Sequence, residues 1–364
     1  MKTYIGVDLH YKQVTYHMIT RVDNGTISRK NGTVATDELV EKFVPMLNKD
    51  TYVCVEATGS TYTFIEKIEG SPAEIFVVNP QDFKEISCSG KKTDKIDAKK
   101  LATRLKMHVE DNDPDDGFPL VYVPDKETRQ LRGLFSTYEF INKEAVAVKN
   151  RILSFFRSKL LPSPNFNKSC DVLELAEKYG VFGIELFQLK ILSEELSMLE
   201  TYKNTIKYEI AVLGWKRFPD ELKLLMTIPG VSVFTSCCLM ADIVDVRRFK
   251  NYKKFASYLR SAPRIYSSDS VIHNGKIDKK GRKLSFKYLT QGVTHFRKSN
   301  PAMEDFYNRK CDGKSKGKVR AALIRKMIVI MYFMLKNNET YRFCNDELYM
   351  NKMKVIDKIC QAAA

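Results

Sequence analysis

Four carboxylates among the first hundred residues have the chemistry to hold a divalent cation: Asp8 in YIGVDLH, Glu56 in TYVCVEATGS, and Asp94 with Asp97 in KKTDKIDAKK. Asp8 and Glu56 each fall at the end or centre of an apolar, strand-like run. Burying a carboxylate there is unfavourable unless a cation or partner compensates. Asp94 and Asp97 stand three apart where a helical pattern, DAKKLATRL, begins, so they share a helix face. Oxygen-only donors of this kind suit Mg²⁺ or Mn²⁺ rather than zinc. Taken singly, each acid has a plainer reading: a strand-end turn for Asp8, a sheet edge for Glu56, and a solvated helix N-terminus favoured by the macrodipole for the pair. The ordered set of four, in this strand and helix context, points to a metal centre.

The elements that must position these acids read clearly in the first third of the chain. Residues 3–9 and 13–20 are β-rich, Asn24-Gly25 signals a turn, and TISRKNGTVAT supplies a third strand. Residues 37–47 carry helical periodicity. TYVCVEA (51–57) and EIFVVNP (74–80) read as buried parallel strands flanking a helix at 61–69. Three antiparallel strands followed by alternating helix and strand is the layout of an RNase H-like fold, giving an α/β domain over 1–115. The polar stretch 110–120, EDNDPDDGFPL, reads as its boundary.

Beyond it the chain turns helical. Long periodic runs at 126–160 and 183–213 are separated by LPSPNFNKS, where Pro162 and Pro164 cannot continue a helix. This central region, 125–215, reads as a helical hairpin or coiled coil, with a plain bundle as the alternative. A C-terminal, mostly helical region spans 218–340 and a tail spans 341–364. The region opens with LMTIPGVSVFTSCCLMADI, an apolar helix, a Pro-Gly turn and a second apolar helix. That pattern fits either a phosphate-facing helix-hairpin-helix or a structural turn.

Composition narrows the partners. The chain has 364 residues, with 60 Lys and Arg against 44 Asp and Glu, a net charge of +16. A polyanion, nucleic acid first, is the expected partner. The apolar run MIVIMYFML, bounded by Lys326 and Lys336, is too short to span a bilayer and reads as a buried core helix, so no membrane is expected. The 8 cysteines form no CxxC pair. Neither a zinc ribbon nor a disulfide framework is indicated, and a reducing cytoplasm fits. The opening residues, MKTYIGVDLHYK, lack the apolar core of a signal peptide.

A second constellation lies at 258–292, read as a polar, Ser-rich loop running into a basic helix. Ser267, Ser268 and Ser270 stand close to Lys276, Lys279, Lys280, Arg282, Lys283 and Lys287, a density of charge suited to a DNA backbone. Arg320, Arg325 and Lys326, in KSKGKVRAALIRKM, are further candidates for phosphate contact. Charge runs of this kind are also common on plain solvated faces. Lys91, Lys92 and Lys95 border the acidic pair, and either contact nucleic acid or balance the carboxylates. His10 near Asp8 and Tyr266 beside the serines have structural readings at least as strong as functional ones.

These motifs together resemble the DEDD-type insertion-sequence transposases, relatives of the Piv DNA invertases. GVDLH, VEATGSTY, KTDKIDAKKLA, IPGVS, RFKNYKKFASYL and the proline-to-serine segment occur in that family's order across nearly the whole chain. The resemblance implies a RuvC-like N-terminal domain in which Asp8, Glu56, Asp94 and Asp97 coordinate Mg²⁺, and a C-terminal domain bearing a catalytic serine. Counting from Pro263 places that nucleophile at Ser268. Asp269 stands where the family usually has glycine, which leaves Ser267 as the neighbouring alternative. It further implies DNA recombination through a 5′-phosphoserine-type link, a structured bridge RNA as guide, and a homodimer or homotetramer. Two readings compete: a metal-dependent RuvC-like nuclease without a serine nucleophile, and a non-catalytic basic nucleic-acid-binding protein.

Overall fold

The computed structural model describes all residues except 22–24, 84–92, 112, 114–115, 167–171, 269–270, 279 and 364, with backbone alone at 265–268, 271–274, 276 and 362–363. The chain divides into two compact units, Met1–Val123 and Pro124–Ala364.

The first unit is a five-stranded mixed sheet in the order β3-β2-β1-β4-β5. Strands β1 (Lys2–Leu9), β2 (Gln13–Arg21) and β3 (Ile27–Ala35) form an antiparallel meander. Strand β4 (Thr51–Glu56) adds parallel to β1, and β5 (Glu74–Val78) parallel to β4, with α1 (Thr61–Ile68) as their crossover. This topology is consistent with the RNase H-like layout expected from the sequence. Residues 37–47 depart from that expectation: in place of an α-helix they form one wide turn, Leu39–Phe43, and a single tight turn, Val44–Met46. Pro45 explains the difference, since it lacks the N–H that an α-helical ladder needs. Leu39 and Phe43 still anchor the segment in the core.

Because side chains alternate across a strand, β1 serves two layers. Ile5, Val7 and Leu9 join Val53, Val55, Phe64 and Ile68 on one face of the sheet. Tyr4, with Cys54 and Phe76, packs on the other face against Leu101, Ala102 and Leu105 of α2 (Asp94–Asp111). Gly6 belongs to that second face, and a Cβ there would drive into Ala98 O and Ala102 N and come within 2.8 Å of the Leu101 Cβ. Glycine therefore sets how closely α2 lies on the sheet. Backbone atoms of a helix cannot step aside, so Gly6→Val should destabilise the first unit by about 3 kcal/mol. Chemical denaturation would check this, and a shift well under 1 kcal/mol would mean that α2 is not seated through Gly6. The acidic stretch after α2 packs back on the same unit. Asp116 accepts from His108 Nδ1 at 2.9 Å, and the Val121 N–H donates to Val77 O at 2.7 Å.

The second unit is built on two long helices, α3 (Lys126–Ser158) and α5 (Ile184–Arg217). Ion pairs Arg217–Asp125 (3.1 Å), Lys149–Glu200 (2.7 Å) and Lys159–Glu185 (2.6 Å) progress in opposite senses along them, so the pair is antiparallel. Helix α3 stops before the prolines: Leu160 adopts a left-handed φ of 57°, and a short α4 (Val172–Lys178) follows. Asp125 caps α3 by accepting from the Thr128 N–H at 2.9 Å. Burial acts to raise its pKa, but hydrogen bonds from Arg217 and Thr128 prevail and hold it at about 2. A depressed carboxyl contributes stability above its ordinary 3.8 that is lost as pH falls toward 2. Asp125→Ala should cost about 1 kcal/mol at neutral pH, and the deficit should shrink across that acidic window. Denaturant midpoints measured at several pH values test it, and a pH-independent deficit would assign the effect to packing.

The rest of the unit packs around α7 (Val233–Ile243), which follows α6 (Pro219–Met226) and the Pro229-Gly230 turn. A Cβ on Gly230 (φ +90°) would strike the backbone of Gly292 in α9 (Lys283–Ser299). Ser232 caps α7, and nearly all of its residues are buried. The Pro229-Gly230 turn thus has a packing role, seating α7 against α9. After α8 (Tyr252–Tyr258), the stretch of 258–292 expected as a loop is instead a two-stranded ribbon, β6 (Pro263–Ser268) and β7 (Val271–Ile277), and the helix expected after it is α9. β-branched residues in PRIYSS and VIHNGKI, with only two residues between the strands, account for the pairing. After α10 (Pro301–Cys311), the run MIVIMYFML lies inside α11 (Lys316–Asn337), with Met327, Ile328, Met331 and Met334 buried. Among the described residues no helix is long and apolar enough to cross a membrane. The last residues form α12 (Asp346–Ala363), which places Ile356 and Ile359 in the same core.

Candidate metal centre and nucleic-acid interface

Asp8 and Glu56 end up side by side through strand register. Val7 of β1 pairs with Val55 of β4, so the two acids follow at the carboxyl ends of adjacent parallel strands. Each lies two residues beyond a position on the α2 face, Gly6 and Cys54 respectively, and so belongs to that face. Helix α2 begins with Asp94 and Asp97 in its first turn, where the Thr93 carbonyl accepts from the Ile96 and Asp97 N–H groups. Gly6 holds that helix close to the strand that carries Asp8. The sheet and the helix thus bring the four acids to one end of the unit.

Among the described residues, Asp8, His10 and Asp94 form a grouping whose donor atoms all lie within 4.8 Å of one another. His10 Nε2 is 3.4 Å from Asp8 Oδ2 and 3.5 Å from Asp94 Oδ1. Gln13 Nε2 donates to the other Asp94 oxygen at 3.3 Å. Asp97 is buried, and its Oδ1 has no hydrogen-bond partner among the described residues. Burial raises the Asp8 pKa above the usual carboxylate value; His10 opposes the rise, and Asp94 and Asp97 add to it. A buried carboxylate oxygen without a donor, near a carboxylate whose pKa burial and acidic neighbours raise, suits a site completed by a cation. The donor set fits a hard divalent ion. Glu56 and Asp97 are not members of that 4.8 Å grouping. The sequence offered a signal for His10: Asp-x-His in an extended segment places both side chains on one face.

The second constellation lies on the other unit. Ser268 is the last residue of β6, with its backbone opposite Val271, and Ser267 is opposite Ile272. Asp269, Ser270, Lys279, Lys91 and Lys92 lie outside the described residues. Lys276 lies on β7, Lys280 is exposed, and Lys283 opens α9, also exposed. Arg282 is drawn inward, with Nε 2.6 Å from Asp242 Oδ1, while Ser285 donates to Asp242 Oδ2 at 2.6 Å. Together with the Arg282 N–H donating to Tyr258 O at 2.8 Å, these bonds fasten the exit of the ribbon to the core. Arg325 Nη1 donates to Ser261 O at 2.7 Å, just before β6, and Lys326 sits over the Phe306 ring. Arg320 is exposed and lines a cavity of about 270 Å³ with Arg297 and Lys316. Lys280 and Lys283 thus face solvent, whereas Arg282, Arg325 and Lys326 also perform internal work, and the exposed Arg320 donates from Nη2 to Thr290 O at 3.3 Å.

Comparison with known proteins gives two family matches. A model described as "Transposase", of the DEDD IS110 type, matches residues 5–159, and one described as "Transposase IS116/IS110/IS902 family" matches residues 222–308. A "Probable family 20 transposase" of Pseudomonas aeruginosa is 20% identical across 93% of this chain and 98% of its own length. The chain belongs to the DEDD family of insertion-sequence transposases. It is also similar to the "Pilin gene-inverting protein" of Moraxella bovis and that of Moraxella lacunata, each 32% identical over 122 residues. Those two matches span 32% of this chain and 38% of each relative's length. Within this transposase family member, Asp8, Glu56, Asp94 and Asp97 fall inside the first matched segment and Ser268 inside the second.

Proposed function

We propose that this chain is a DNA recombinase that excises and inserts a mobile element, cutting and rejoining strands by phosphoryl transfer. The observation that carries the proposal is the Asp8, His10 and Asp94 grouping beside the buried, unpartnered Asp97 oxygen, in a chain of this family. Asp8, Glu56, Asp94 and Asp97 would hold Mg²⁺ or Mn²⁺. When bound, such ions stabilise charge on the attacking and leaving oxygens of an in-line transfer.

In this reading the Ser268 hydroxyl attacks a DNA phosphorus. The Oγ–P bond forms, the P–O3′ bond breaks, the hydroxyl proton leaves to a base, and the departing 3′ oxygen takes up a proton. The bond energy stays in a 5′-phosphoserine link for rejoining. Lys276, Lys279, Lys280, Arg282, Lys283, Arg320, Arg325 and Lys326 would track the phosphate backbone, and the net charge of +16 favours that partner. A structured RNA guide belongs to the same reading, and RNA bound to the protein purified from its host would test it.

Strand exchange needs more than one active site, and α5 offers a seam for a second copy. Ile184, Ile191 and Met198 recur at seven-residue intervals, with Phe187 three after the first, and all four are exposed. That is the spacing of a coiled-coil face. Ile191→Glu together with Phe187→Glu should lower the mass of the proposed homodimer or homotetramer in sedimentation experiments; an unchanged mass would place the interface elsewhere.

The functional proposal is tested in cells carrying this gene with its native flanking DNA, by sequencing excised circular junctions. Wild type should form them and Asp8→Ala should not. Junctions at wild-type frequency in Asp8→Ala would overturn the role given to the acids.

A further inference from the structure

The acids alone do not account for the geometry at the ends of β1 and α2. His10 leaves β1 in a tight turn, with its N–H donating to Gln13 O at 3.0 Å, and its ring lies close to Asp8 and Asp94. The ring is half-exposed, yet Nε2 lies between two carboxylate oxygens, 3.4 Å from one and 3.5 Å from the other. Donors held about 2.1 Å from a common ion can be at most about 4.2 Å apart, so both separations already suit one coordination sphere. The buried Asp97 oxygen, without a hydrogen-bond donor among the described residues and in a residue close enough to act on Asp8, is a second and independent sign that this acidic end suits a cation.

We infer that His10 is a direct nitrogen ligand, completing with Asp8 and Asp94 a mixed nitrogen and oxygen site for a divalent cation. This rests on the metal-centre reading above and adds to it a donor from outside the acidic tetrad. The consequence is selectivity. Imidazole favours transition ions, whereas carboxylate-only sites suit Mg²⁺ and Mn²⁺ alike. A site with one histidine therefore discriminates for Mn²⁺ over Mg²⁺, and the discrimination disappears with the ring. Position decides which atom binds: Nε2 faces the carboxylates, so it is the coordinating nitrogen.

The test uses the full chain with Mn²⁺ alone as the probe. Electron spin-echo spectroscopy of Mn²⁺ bound to protein carrying ¹⁵N-histidine should show one directly bound imidazole nitrogen. His10→Ala should lose that coupling and bind Mn²⁺ about tenfold more weakly, with a smaller change for Mg²⁺. Because the ring is half-exposed, the variant should keep its fold, which circular dichroism and thermal melting would verify. Mn²⁺ that binds in an Asp8-dependent manner but shows no histidine coupling would overturn the inference and leave the acidic centre standing. Failure of Asp8→Asn to weaken Mn²⁺ binding would sink both.

Discussion

Asp8→Asn is expected to abolish strand cleavage while making the metal-free protein more stable at neutral pH. The two effects share one cause. Asp8 is pressed into a partly buried position at the end of β1, where burial raises its pKa, His10 opposes the rise, and Asp94 and Asp97 add to it. An acid whose pKa is raised on folding contributes stability that is fully present below the ordinary 3.8 and is lost as pH rises through the folded value. At neutral pH the ionised Asp8 is therefore a liability to the metal-free fold, and the amide removes it. A gain of a few degrees, ~3 °C, in thermal midpoint is expected without divalent ions. The gain should vanish in acid, where wild-type Asp8 is neutral. Added Mg²⁺ or Mn²⁺ should stabilise the wild type and leave the variant unmoved. Cleavage should fall by on the order of 10³-fold or more, since stabilisation of the transferring phosphoryl group is lost. A variant that melts lower than wild type without metal would show that Asp8 is paired for structure rather than held ready for a cation.

Ser268→Ala is expected to eliminate recombination altogether, a loss on the order of 10⁶-fold if the hydroxyl is the nucleophile. Removing one oxygen from the end of a β-ribbon should leave the core untouched. The ribbon is fastened to the core through Arg282, Asp242 and Ser285, so the fold does not depend on Ser268. Metal binding at the acidic centre should be unchanged, which separates this variant from Asp8→Asn. Ser267→Ala serves as the internal control, because the neighbouring hydroxyl is the alternative nucleophile. Junctions lost in Ser267→Ala but kept in Ser268→Ala would move the nucleophile by one residue. Cutting that persists in both would favour a nuclease that uses water.

The four acids stand out in the sequence because carboxylates at the ends of apolar runs depart from the burial pattern around them, and such departures are where a functional site is sought. The sheet was legible for a related reason: β1, β4 and β5 are apolar runs bounded by turn residues, and periodicity reports them directly. Three features escaped. The turn at 39–46 carries helical periodicity, but Pro45 removes a backbone donor, and the loss outweighed the pattern. The β6/β7 ribbon was hidden by its polar residues, which read as loop, whereas pairing of the two adjacent strands decided the backbone. Gly6 looked like an ordinary strand glycine, because the close approach of α2 is a tertiary fact that no local pattern records. His10 was visible in sequence but ambiguous, and only its equal separation from Asp8 and Asp94 gave it a role to test.

The most direct test of the central claim is to capture the covalent intermediate. Protein is isolated under denaturing conditions from cells in which the element is recombining, and the peptide that follows Arg264 is weighed after nuclease and protease digestion. Serine-mediated transfer predicts a nucleotide 5′-phosphate on Ser268, absent in Ser268→Ala and absent in Asp8→Asn. Abundant circular junctions with no nucleotide on any serine of that peptide would contradict the account and assign the chemistry to water at the acidic centre.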